Sequence, residues 1–434
     1  MFSLRTLPGS LLAPAAIILT CLVAACATDA RVGPAVPELP PPGPSVFRLP
    51  QLIPWSEGAG PRVPAGFRVE RFASDFDNPR WLHVLPNGDV LVAQARTESM
   101  SGMPPEVISL LTRQGVFGPS ANSIVLLRQT SREVERHVLL ENLHQPFGML
   151  AHGGYLYVAN TDRLVRFPFR VGETRISAPA ERVIDLPAGG YNNHWTRNVV
   201  ATPDGSRLLV AVGAGTNVNE EGVEPPDRAA IWEIRPDGSD KRLLATGLRN
   251  PVGLAYEPVT GELWATVNER DGLGEDVPPD YLTRVVDGAF YGWPFVYFGN
   301  YVDPVQQKLN PAAVLRAQQT ARVPDLALGA HSVPLGLHFY RGNAFPERYR
   351  RGAFVARRGG GSRTVFNGFD VVFVPFEEGL PAAPAEPFLT GFIADSDRAQ
   401  VYGRPVGLAE LPDGSLLVAD DAGNTVWRVV SENR

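Results

Sequence analysis

Cysteine and lysine are almost missing from this 434-residue chain. The two cysteines, Cys21 and Cys26, both fall in the first 26 residues. A disulfide inside the rest of the chain is therefore excluded, and so is a thiolate metal site there. Lysine occurs only at Lys241 and Lys308, so the basic side chains are nearly all arginine. Positive charge is not in excess: 40 Lys and Arg face 46 Asp and Glu, a net charge of −6. That balance excludes a nucleic-acid binder built on a basic surface. The one long apolar run, Leu11 to Ala25, is broken by Pro14 and Thr20 and is short for a spanning helix. What the chain does have is Gly, at 43 residues, and Pro, at 41. So many breakers exclude a mainly helical fold and suit an all-β chain with many tight turns. A hydrophobic content of 44% suffices for a sizeable core.

The apolar run follows a single charge, Arg5, and reads as a signal peptide over residues 1–25. Leu22-Val23-Ala24-Ala25 before Cys26 resembles a bacterial lipobox, which predicts lipidation of Cys26. The chain is then expected in the bacterial cell envelope as a periplasmic lipoprotein, held at the outer membrane only through its N-terminal lipid. Residues 26–63 read as a linker. Within it, residues 34–49 are Pro-rich and are expected to form a stiff tether outside the fold. The folded domain is expected over residues 64–434.

A unit recurs six times along residues 67–430. A Pro opens an apolar run, a Gly turn follows, and a second strand ends in Val-Ala or similar. Asn78-Pro79-Arg80-Trp81-Leu82 leads to Leu91-Val92-Ala93, and Gln145-Pro146-Phe147-Gly148 leads to Tyr157-Val158-Ala159. Later units start at His194-Trp195, Asn250-Pro251-Val252-Gly253, Val333-Pro334-Leu335-Gly336 and Arg404-Pro405-Val406-Gly407. Third strands such as Ile231-Trp232-Glu233-Ile234 follow most units, and a fourth often precedes the next Pro. The pattern predicts a six-bladed β-propeller of four-stranded antiparallel blades. Phe67 to Phe72 is expected to supply the missing fourth strand of the last blade, closing the ring. Residues 97–121 and 296–330 read as insertions able to carry short helices.

In such a ring the residues just before each first strand gather at one end of the central channel. They are Arg80, Gln145, His194 with Asn193, Arg249 with Asn250, His331 and Arg404. Arg96, Arg357, Arg358 and Arg363, at or beyond second-strand ends, can add charge there. Converging arginines suit an anionic small ligand with carboxylates. His194 has the titration range of a general base. The loop Asn268-Glu269-Arg270-Asp271-Gly272-Leu273-Gly274-Glu275-Asp276 is acidic and Gly-containing, suited to a hard cation or to plain solvation. No phosphate loop, dinucleotide fingerprint, nucleophile elbow or His-Glu-x-x-His run occurs.

Several of these runs are familiar together. His194-Trp195-Thr196-Arg197-Asn198, Gly247-Leu248-Arg249-Asn250-Pro251-Val252-Gly253-Leu254, Thr266 to Gly274, Phe290-Tyr291-Gly292-Trp293-Pro294 and Tyr402 to Gly407 resemble the L-sorbosone dehydrogenase-like branch of the soluble quinoprotein glucose dehydrogenases. The resemblance covers residues 64–430. It implies a six-bladed propeller binding pyrroloquinoline quinone (PQQ) and Ca²⁺ at the channel mouth, and oxidation of an aldose or sugar aldehyde. It implies His194 as general base and Arg249 as the group polarising the quinone oxygen. Asn250 and Asn268 would line the cofactor, with Asn193 beside the base. Gln145, Arg357 and Arg404 would bind its edges. The backbone carbonyls of Glu269 and Arg270 would hold Ca²⁺. The partners implied are a small sugar or aldehyde and a soluble or membrane electron acceptor, with no nucleic acid. Two departures stand out. Asn193 replaces an Asp of glucose-oxidising relatives, and the run Arg358-Gly359-Gly360-Gly361-Ser362-Arg363 lacks an aromatic lid residue. A non-catalytic envelope binding module and a calcium-dependent lactonase are the alternative readings of the same mouth.

Overall fold

The computed structural model describes residues 38–98, 105–113, 116–189, 194–222 and 224–432. The expected signal peptide, Cys26 and Asn193 lie outside the described residues. Six antiparallel sheets, here A to F, each hold four strands in ladder order. Sheet A comprises Pro79–Val84, Val90–Gln94, Ser123–Gln129 and Val134–Leu140, and sheet B Met149–His152, Tyr155–Ala159, Arg163–Pro168 and Glu181–Asp185. Sheet C is Arg197–Ala201, Leu208–Val212, Ala230–Ile234 and Arg242–Thr246, and sheet D is Asn250–Tyr256, Leu263–Asn268, Asp280–Arg284 and Leu326–Gly329. Sheet E is Pro334–Phe339, Gly352–Arg357, Asp370–Glu377 and Glu386–Leu389, with Leu380–Pro381 as a short extra strand. In sheet F, Pro405–Glu410, Leu416–Asp420 and Thr425–Ser431 are completed by Phe67–Ala73, which pairs antiparallel with Thr425–Ser431. Phe67–Ala73, which precedes the other strands of the six sheets, thus completes the last sheet, as the sequence led us to expect.

The sheets pack face to face, and this explains their composition. Second strands such as Val90–Gln94, Leu208–Val212 and Leu416–Asp420 are buried at every residue. They are covered on both faces, so they read as continuous apolar runs and not as alternation. Separate apolar layers lie between A and B, B and C, C and D, D and E, E and F, and F and A. Each large aliphatic side chain fully buried there contributes about 1.5–3 kcal/mol. The Gly in the Pro-x-Gly repeat has a steric origin. A Cβ on Gly253 would stand 2.5 Å from the Leu335 carbonyl, on Gly336 2.2 Å from that of Val406, and on Gly407 2.7 Å from that of Arg80. These glycines let successive first strands touch.

Two expectations need correction. The second insertion ends earlier than residue 330, because Leu326–Gly329 is the fourth strand of sheet D. Before it come the helices Pro304–Leu309 and Pro311–Thr320. The first insertion carries one helix, Pro105–Arg113. The larger correction concerns the Pro-rich segment. Its described part, residues 38–49, is bonded to loops and is not a free tether, with Leu39 N donating to the Tyr301 hydroxyl at 3.0 Å and Gly43 N to the Leu273 carbonyl at 2.8 Å, and the linker after it docks on the sheets. Gln51 and Leu52 pair in parallel with Gln400 and Val401. Trp55 stacks on Tyr402 at 4.2 Å and joins the layer between E and F. Arg62 bridges to Thr390. Among the described residues no helix is long and apolar enough to cross a membrane.

Candidate functional site

The segments entering the first strands of the six sheets converge at one end of the assembly. His194 enters sheet C. Its Nδ1 lies 2.7 Å from the Ala214 carbonyl. A carbonyl only accepts, so Nδ1 carries the proton and Nε2 keeps its lone pair. Burial, then the positive charge of Arg249, hold the imidazole pKa well below its ordinary 6.5. His194 is therefore neutral at pH 7. Gly213 lies between it and Asn250: a Cβ there would stand 2.2 Å from Asn250 Oδ1 and 2.8 Å from His194 Cβ.

Arg249 is buried at the entrance to sheet D, and its guanidinium is fixed by oxygens alone. Nε donates to the Asn217 carbonyl at 2.9 Å and Nη2 to Asn217 Oδ1 at 2.8 Å. Nη1 donates to the Glu269 carbonyl at 2.6 Å. The carbonyl expected to hold Ca²⁺ is thus already shared with Arg249. Asn250 and Asn268 face each other in register at the ends of the first two strands of D. Both carboxamide oxygens are buried without a partner. Arg270, next in the acidic loop, turns its side chain to Asp303 in a buried pair at 2.5 Å. Asp303 also caps the helix Pro304–Leu309, accepting from the Val305 and Gln306 amides. The insertion therefore anchors the acidic loop. Burial pushes the Glu269 carboxyl up to about 8.

His331, entering sheet E, is the counterpart of His194 with its pKa moved the other way. Its Nε2 donates to the Gly274 carbonyl at 2.8 Å, and Nδ1 lies 3.1 Å from Asp271. Burial opposes protonation, but Asp271 and the Gly274 carbonyl outweigh it and raise the pKa.

The side of the mouth formed by sheets A, E and F is cationic. Arg80 and Arg358 both bond Asp421 Oδ2, Arg358 through Nε at 2.6 Å. Arg404 is buried beside them, and its guanidinium has no hydrogen-bonded or paired partner among the described residues; its Nε is an orphaned donor. Burial, with Arg358 and Arg80 nearby, brings its pKa down to about 9. Arg80 Nε is also orphaned. Three guanidiniums lie around the Asp421 carboxylate, which bonds two of them through Oδ2 alone, and they leave a local excess of positive charge. A cavity of about 110 Å³ opens here, lined by Arg358, Arg404, Asp421, Asn78, Pro50 and Leu52 among others.

Not every expected residue reaches the site. Arg357 pairs bidentately with Asp370 of its own sheet at 2.7–2.8 Å and donates to the Leu328 carbonyl of sheet D, so its guanidinium is filled between the two sheets. Arg358, one residue on, takes the place at the mouth. Gln145 is buried and donates to the Arg96 carbonyl at 2.9 Å. Arg96 itself reaches Asp77 at 2.8 Å, and Arg363 pairs with Asp276 at 2.9 Å. Residues that sequence reasoning missed are Asn217, which fixes Arg249, and Asp421, the hub of the arginine cluster. Both follow second strands, the position already noted for Arg96, and extending that rule to sheets C and F finds them.

With this geometry in view, the chain can be set beside known proteins. It is 26% identical over 383 residues to an uncharacterized protein of Borreliella burgdorferi, covering 86% of this chain and 91% of the relative. Its fold is similar to the calcium structure of an AA12-family carbohydrate-active enzyme of Trichoderma reesei, with TM-score 0.68, 18% identity and coverage of 86% and 97% of the two chains. It is also similar to the holo form of the PQQ domain of a pyranose dehydrogenase from Coprinopsis cinerea, with TM-score 0.66, 19% identity and coverage of 86% and 97%. The PQQ-bound aldose sugar dehydrogenase of Streptomyces coelicolor follows at TM-score 0.56 and 16% identity, covering 85% and 99%. A family profile described as TrAA12-like matches residues 61–279 and 306–432, most of the chain, and the protein belongs to that family.

Proposed function

We propose that this protein is a PQQ- and Ca²⁺-dependent dehydrogenase of an aldose or sugar aldehyde, built on a six-bladed β-propeller. The observation that carries the reading is a neutral, oriented His194 with the fixed Arg249 near it, together with a buried guanidinium at Arg404 that has no hydrogen-bonded or ion-paired partner among the described residues. The similarity to PQQ-binding sugar dehydrogenases supports it. The lipobox-like run before Cys26 supports a periplasmic lipoprotein that passes electrons to a soluble or membrane acceptor.

The residues present fit both groups. PQQ carries three carboxylates, and the orphaned donors on Arg404 and Arg80 offer charge-assisted bonds to such groups. Calcium takes hard oxygens. The unpartnered carboxamide oxygens of Asn250 and Asn268 offer such ligands. The Arg270 carbonyl, with that of Glu269 shared with Arg249, would complete the set. When bound, the quinone accepts a hydride from the sugar carbon. The chain's own part is binding and proton transfer. His194 Nε2 takes the proton of the substrate hydroxyl. The Ala214 carbonyl keeps the ring in the tautomer that can do so. Arg249 supplies fixed positive charge where negative charge grows, with Asn217 preventing its reorientation.

The test is reconstitution of the apo-protein with Ca²⁺ and PQQ, followed by dye reduction over a panel of aldoses and aldehydes. Wild-type protein should bind the quinone in calorimetry and turn over at least one aldose. His194→Ala should keep quinone affinity and lose about 10²–10⁴-fold in rate, the usual contribution of a general base. No heat of quinone binding in the presence of Ca²⁺ would sink the proposal.

A further inference from the structure

The run Gly359-Gly360-Gly361 lacks the side chains that would cover a ligand at the mouth, and the N-terminal segment lies there instead. Gly43 N donates to the Leu273 carbonyl at 2.8 Å, and Ser45 Oγ accepts from Gly274 N at 3.1 Å. Arg48 N donates to the Gly361 carbonyl at 2.6 Å. The Arg48 guanidinium donates to the Thr364 and Asp397 carbonyls. The segment therefore runs from the loop of sheet D, over that of sheet E, to the entrance of sheet F. The roots of those loops hold Arg270, Arg358 and Arg404. Gly361 is required by this path: a Cβ on it would stand 2.4 Å from the Arg48 carbonyl oxygen. Farther along, Pro50 is buried, and Pro50 and Leu52 line the cavity that holds Arg358, Arg404 and Asp421. At about 110 Å³ that cavity is small beside the roughly 300–1,000 Å³ of a small-molecule site. It has room for an edge of a ligand, with the segment against it.

We propose that residues 43–52 form a wall of the ligand pocket, standing in for the side chains absent at residues 359–361. In this role they retain the carboxylate end of the quinone against Arg358 and Arg404. The proposal rests on the cofactor reading above and adds chain residues that no motif of the mouth contains. The wall is held mainly by backbone contacts to the rim loops, so its strength depends on close approach at Gly361 and on the anchoring arms of Arg48.

Two measurements on the full chain test it, neither of which depends on turnover. The first is amide hydrogen exchange over residues 43–52 with and without PQQ and Ca²⁺. Ligand binding should slow exchange there. The second is the rate of PQQ release into excess free ligand. Arg48→Ala, a change at a half-buried residue outside the sheets, should speed release about tenfold, the effect of losing one or two hydrogen bonds from a charged donor. Gly361→Val should act in the same direction by pushing the wall off. Quinone binding with unchanged or faster exchange over 43–52, and unchanged release from Arg48→Ala, overturns the wall and leaves the cofactor reading standing. No quinone binding by wild type overturns both.

Discussion

His194 and His331 occupy matching positions before sheets C and E, yet their surroundings move their pKa values in opposite directions. One ring nitrogen of His194 meets a carbonyl, and its nearest charges are guanidiniums. Both nitrogens of His331 meet acceptors, one of them a carboxylate. The consequence for His194 has a definite sign. A histidine with a lowered native pKa binds fewer protons folded than unfolded below pH 6.5, so acid costs both stability and the free base. The acid limb of kcat/KM should therefore lie well below 6.5; a limb at or above 6.5 in a pH–rate profile would contradict the assigned tautomer and charge. Arg404 yields a prediction with two opposite signs. A buried cation with no hydrogen-bonded or ion-paired partner among the described residues, only the Phe369 ring 6.0 Å away, destabilises the empty fold. Arg404→Leu should raise the unfolding midpoint of the apo-protein while weakening PQQ binding about 10- to 100-fold, the loss of one or two charge-assisted bonds. Calorimetry and thermal unfolding on the same sample read both.

Sheet entrances were legible because their residues are constrained sterically. Pro sets the backbone where the first strand begins, and Gly253, Gly336 and Gly407 sit where a Cβ would strike the next first strand. Gly336→Ala should accordingly destabilise by about 1–3 kcal/mol, the usual result of overpacking, as read from urea denaturation. A change below 0.5 kcal/mol would mean that first strands have slack. Loop residues were less legible. On a strand, neighbours point to opposite faces, so a slip of one position exchanges Arg357 for Arg358. The first is filled by Asp370, and the second reaches Asp421. Asn217 carries only a weak positional signal, the loop after a second strand, since Asn is common in loops for local reasons. Its role appears only where Arg249, 32 residues later, folds back on it. Proline content misled in the same way for residues 38–63. It reports an extended backbone, and an extended backbone with free amides and carbonyls can equally dock on loops as hang in solvent.

At the scale of the whole molecule, the six apolar layers come in sequence except one. The layer between F and A, and the pairing of Phe67–Ala73 with Thr425–Ser431, join the two ends of the chain. Removing residues 38–73 should therefore leave sheet F with an open edge and a protein that aggregates or fails to fold. Removing residues 38–52 alone should leave the far-ultraviolet spectrum and the cooperative unfolding transition intact. Size-exclusion chromatography and circular dichroism separate the two outcomes. The shared sheet also sets an order in time. Phe67 meets its partner Ser431 across about 360 residues, one of the longest loop closures this chain can make. During synthesis the first strand emerges long before the last exists, so for most of that interval it stays an unpaired edge. Sheet F is the last of the six that can be completed, and the mouth, which draws Arg404 and Asp421 from it, cannot be assembled before those residues have been made.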